Sequence, residues 1–80
     1  MENTQPLSPV LHDIHVIVVS PEEAEFGVAE FWSGDRQIGF TCIEGSELTL
    51  RIGASADDVV LGAHALTEAL AEAKRLLALY

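Results

Sequence analysis

Between Glu25 and Ile52 the chain alternates apolar and polar positions with a period of two, the signature of half-buried antiparallel strands. Ile38, Phe40 and Cys42 alternate with Gln37, Gly39 and Thr41, and Leu48, Leu50 and Ile52 alternate with Glu47, Thr49 and Arg51. His12 to Val19 reads as an earlier strand, with Ile14, Val16 and Val18 on one face and His15, Ile17 and Val19 on the other. Both of its faces are largely apolar, a pattern expected of a strand covered on two sides.

Turn chemistry punctuates these runs. Ser33-Gly34-Asp35-Arg36 predicts a two-residue hairpin loop with Gly34 and Asp35 at its centre. That loop pairs Phe31 with Ile38 and Ala29 with Phe40. Gly27, Ala29 and Phe31 then share a core face with Ile38, Phe40 and Cys42, while Phe26, Val28, Glu30 and Trp32 face the other way. A loop one residue longer would bury Glu30 unpaired, which is costly. Glu44-Gly45-Ser46 marks the next turn, and an odd loop length there keeps Leu48 and Leu50 on the face of Phe40. Ser20-Pro21-Glu22-Glu23 is either a turn or one capped helical turn ending near Gly27.

The C-terminal segment switches to a helical period: Leu66, Leu70, Ala73 and Leu77 form one stripe, with Ala69, Leu76 and Tyr80 beside it. The helix begins either near Ala56 or, as the adjacent Val59 and Val60 and the glycine at 62 favour, at Ala63 after an extended Val59-Val60-Leu61. The expectation is an α+β domain over residues 12–80, a four-stranded antiparallel meander with one helix packed on one face (ββββα). Residues 1–11, with Pro6 and Pro9 and no periodicity, read as a flexible tail. One helix covers one sheet face and leaves the other bare. The residues expected there are Phe26, Val28, Trp32 and Ile43, joined by Ile17 and Val19 of the first strand.

Composition narrows the function classes. Thirteen acids against four bases give a net charge of −9, so direct binding to nucleic acid or an anionic membrane is disfavoured. Small domains without disulfides or metal often gain stability by oligomerising, and Cys42 is the lone cysteine. A solitary thiol and no visible targeting segment predict a cytoplasmic protein. Ten alanines against one lysine and one asparagine suit a GC-rich bacterial or phage genome.

Candidate chemistry is sparse. Cys42 is expected as a buried apolar side chain between Phe40 and Leu48. His12 and His15, three apart on a strand, point to opposite faces and cannot share an ion. The acidic groups Glu22, Glu23, Glu25 and Asp57, Asp58 lack an ordered ligand spacing. No catalytic constellation, metal site or cofactor motif emerges, so the chain is read as a non-enzymatic interaction protein of unknown role. Its expected partner is itself, as a homodimer through the face around Trp32, or another protein of basic character. The alternative is an acidic inhibitor, of immunity or nucleic-acid-mimic type, that blocks a basic partner through the five acids above.

Overall fold

The computed structural model describes residues 10–53 and 60–80. Its elements are β1 (Val10–Leu11), β2 (His15–Ile17), α1 (Pro21–Glu25), β3 (Glu30–Ser33), β4 (Arg36–Glu44), β5 (Glu47–Ile52), β6 (Val60–Leu61) and α2 (Ala63–Leu77). Strands β2-β3-β4-β5 form one antiparallel sheet in sequence order, the expected meander. Helix α2 lies on one face of it. Ala69 and Ala73 are buried at the contact, and their small side chains let the helix sit close to Ala29, Phe31 and Ile38. Leu66, Leu70 and Leu77 flank them, with Ile14, Val16, Val18 and Leu50 packed from the sheet.

The Ser20-Pro21 segment forms the short helix α1. Ser20 is its N-cap, with its Oγ accepting the Glu23 N–H at 3.2 Å, and Pro21 opens the helix. Val60 and Leu61 are extended and Gly62 precedes the helix, so α2 starts at Ala63. Val59, like residues 1–9, lies outside the described residues. One expectation about the tail is corrected: Val10 and Leu11 form β1, paired in parallel with Val60 and Leu61. The Gly62 N–H extends that contact by donating to the Leu11 carbonyl at 2.9 Å. Two apolar residues on each side suffice to tie the chain down where sequence periodicity is too short to register.

The sheet register differs from the expected one. Gly34 and Asp35 do make the two-residue loop, with Ser33 opposite Arg36. Beyond it the ladder slips: Trp32 faces Gln37, Phe31 faces Gly39, and Ile38 is the extra residue of a β-bulge. The bulge switches the phase of β4. Ile38 is buried at 3% exposure and Thr41 at 1%, both toward α2, while Phe40 at 36% turns to the other face. Cys42 follows Phe40 and is half-buried there, not in the core. The next loop has two residues rather than an odd number, because Glu44 pairs with Glu47. Leu48 and Leu50 therefore oppose Ile43 and Thr41, which moves Ile43 to the helix side of the sheet.

Two residues account for the slip. A Cβ on Gly39 would be driven into the Arg51 carbonyl oxygen, so glycine permits the close approach of β4 to β5. Thr41 then carries a hydroxyl into the core, where it accepts the Ala29 N–H at 2.9 Å and donates to the Gly27 carbonyl at 2.8 Å. These bonds satisfy backbone groups that the ladder leaves unpaired where the chain leaves α1 and enters β3.

Candidate interaction surface

The face of the sheet opposite α2 is organised in rows. The cross-strand register lines up Ile17, Glu30, Phe40 and Arg51 across all four strands. His15, Trp32 and Gln37 form a second row, and Cys42 and Thr49 a third pair. Ile17 is 44% exposed and Phe40 36%, on either side of Glu30 in one row, with the half-buried Trp32 beside them in the next. An apolar strip thus crosses a surface that no element of the described chain covers.

Glu30, Glu44 and Arg51 on this face have local partners, while Glu47, directly opposite Glu44, has no ion pair among the described residues. The Trp32 indole N–H donates to Glu30 Oε1 at 3.1 Å. The Arg51 guanidinium donates to the Glu44 carboxylate, beside Cys42 Sγ, which lies 3.7 Å from both Glu44 Oε2 and Thr49 Oγ1. The hydrogen bond from Arg51 holds the Glu44 carboxyl below the usual carboxylate range, aided by the guanidinium charge. The same bond raises Arg51 above its ordinary value.

The six residues expected on the bare face do not form one patch. Ile17 and Trp32 lie on it. Ile43 is on the helix side, its side chain against Gly27, because the bulge reverses the phase of β4. Phe26 follows α1 and is strongly exposed. Val28 is half-buried before β3, with its N–H bonded to the Glu23 carbonyl at 2.8 Å. Val19 is exposed beyond the end of β2. Phe40, expected in the core, is the member that strand alternation missed; the signal for it was Gly39, since a glycine inside a strand marks a bulge.

The acidic residues divide in the same way. Glu22, Glu23 and Glu25 sit on α1, and Asp57 and Asp58 lie outside the described residues. A cleft of about 510 Å³ between β2 and α2 is lined by His12, Asp13, His15, Glu68 and Glu72 among others. His15 Nε2 lies 3.6 Å from Asp13 Oδ1 in that cleft, with both side chains largely in solvent. His64 contacts Glu68 one helical turn on, at 3.3 Å. Among the described residues no cluster of three or more His, Cys, Asp or Glu is placed to hold a metal ion. No helix among them is long and apolar enough to cross a membrane.

Compared with protein-family models, with curated proteins and with solved structures, the chain matches none.

Proposed function

We propose that this is a non-enzymatic interaction protein that self-associates through the open face of its sheet. The observation that carries the reading is the strip of Ile17, Trp32 and Phe40 on a sheet face that no element of the described chain covers. Aromatic side chains with a polar handle are characteristic interface anchors. A second copy is the occupant that the uncovered apolar strip supports. The chain carries −9 overall, but on this face Arg51 offsets Glu44 and the remaining acids, Glu30 and Glu47, flank an apolar strip, so self-association draws on the strip against a modest repulsion. The setting that fits the single free thiol, Cys42, is a reducing, cytoplasmic one.

Phe40→Asp is the direct test, because Phe40 is the more exposed of the two aromatics and its loss perturbs the core least. Sedimentation across a dilution series should show the variant losing an association step that wild type makes, with an unchanged far-UV spectrum. The single tryptophan, Trp32, should shift toward the blue as wild-type concentration rises. Concentration-independent mass and emission in the wild type would refute the reading.

A further inference from the structure

Strand β5 is an edge of the four-stranded sheet: β4 bonds one side, and no strand among the described residues takes the other. Free edges template pairing with other chains, and proteins usually blunt them with proline, lysine or a bulge. Glu47–Ile52 has none of these, and its register with β4 runs without interruption. Just past it, the Gly53 N–H donates to the Ile38 carbonyl at 3.0 Å. Counting back by twos along the antiparallel ladder, Arg51, Thr49 and Glu47 bond β4. Leu48, Leu50 and Ile52 therefore turn their backbone donors and acceptors outward.

Read about Thr49, this strand is complementary to itself. An antiparallel second copy, related by a twofold axis at Thr49, sets Glu47 opposite the partner's Arg51 and Leu48 opposite the partner's Leu50. Thr49 meets the partner's Thr49. Directly opposed side chains share a face, so both Glu–Arg pairs fall on the open face and both leucine pairs on the helix side. Leu48 and Leu50 are only half-buried in one copy, and the pairing continues their packing across the seam. It also relieves a conflict. Glu44 and Glu47 stand directly opposite each other, an unfavourable pair. Arg51 answers Glu44, while Glu47 has no ion-pair partner among the described residues.

We propose that β5 pairs antiparallel with β5 of a second copy across a twofold axis at Thr49, joining two four-stranded sheets edge to edge. This contact is isologous, so it closes on itself as a dimer instead of propagating. The seam shares Arg51 with the rim of the open face, but its backbone pairing and leucine contacts lie at the sheet edge and do not rest on the reading above.

Charge exchange tests it. Glu47→Arg or Arg51→Glu alone places like charges opposite each other twice per seam, and each should weaken edge pairing roughly tenfold or more. An equimolar mixture of the two variants restores both opposite-charge pairs and should associate as tightly as wild type. In a second arm, Thr49→Cys in a Cys42→Ser background should oxidise to a covalent dimer. The partner's residue lies at a non-hydrogen-bonded site there, where cross-strand side chains approach most closely. Single variants that associate like wild type, a mixture no tighter than its components, or failure of Thr49→Cys to cross-link would each overturn the proposal. Phe40→Asp should leave that cross-link intact, which separates failure of the seam from failure of the face.

Discussion

Thr41 shows how one hydroxyl can determine what a strand does. It is almost wholly buried, an unusual place for a threonine, and its two hydrogen bonds reach the Ala29 N–H and the Gly27 carbonyl. Thr41→Val keeps the shape and removes both bonds, leaving a donor and an acceptor stranded in the core. Each unsatisfied group costs on the order of 1–3 kcal/mol, so the variant should lose about 2–5 kcal/mol in urea unfolding. Thr41→Ser retains the hydroxyl and should lose only the contribution of a methyl group, roughly 1 kcal/mol. Equal losses for the two variants would show that packing, and not the hydroxyl, is what the site requires. Alternation alone assigns Thr41 to solvent, because a polar residue between two apolar neighbours reads as outward. Its burial follows from a backbone need that the sequence pattern does not express.

Strand β4 carries the main difference between pattern and structure. The meander, the Gly34-Asp35 loop and the helix start at Ala63 were legible, because each rests on local chemistry, such as a glycine with positive φ or an i, i+4 stripe, while Ser20-Pro21 fits a turn and a capped helical turn equally well. The bulge at Ile38 was not, since Ile-Gly-Phe-Thr-Cys-Ile fits a strand in either phase. One inserted residue exchanges the faces of everything after it. It therefore replaced Ile43 by Phe40 in the candidate site while leaving Ile17 and Trp32 in place. Pairing of β1 with β6 was equally hidden, being two residues on each side and distant in sequence. Gly39 is the element's weak point. Gly39→Ala directs a methyl group at the Arg51 carbonyl of β5, and the atoms it meets are all β5 backbone, which has little room to yield. The expected loss is about 1–3 kcal/mol, as for an overpacked core, with hydrogen exchange quickened in β4 and β5 before the rest of the sheet. Unchanged protection in those two strands would mean that β4 does not need the close approach glycine permits.

At the scale of the whole molecule, the two proposed contacts answer differently to salt. Each copy carries −9, so any association works against a long-range repulsion that falls off over about 8–10 Å at ordinary ionic strength. The open-face contact has an apolar strip at its centre and draws on no ion pair between copies. Added salt screens the net repulsion there and removes little attraction. The β5 seam instead draws on two Glu47–Arg51 pairs between copies, which salt also screens. Compared at unchanged charge, Phe40→Gln, which isolates the seam, should therefore gain less from sodium chloride than Leu48→Pro, which removes an outward N–H of β5 and isolates the face. Combining the two substitutions should leave a monomer at every ionic strength. Mass photometry or sedimentation over a salt series reads both outcomes. A common salt response for the two single variants would mean that one surface, not two, holds the copies together.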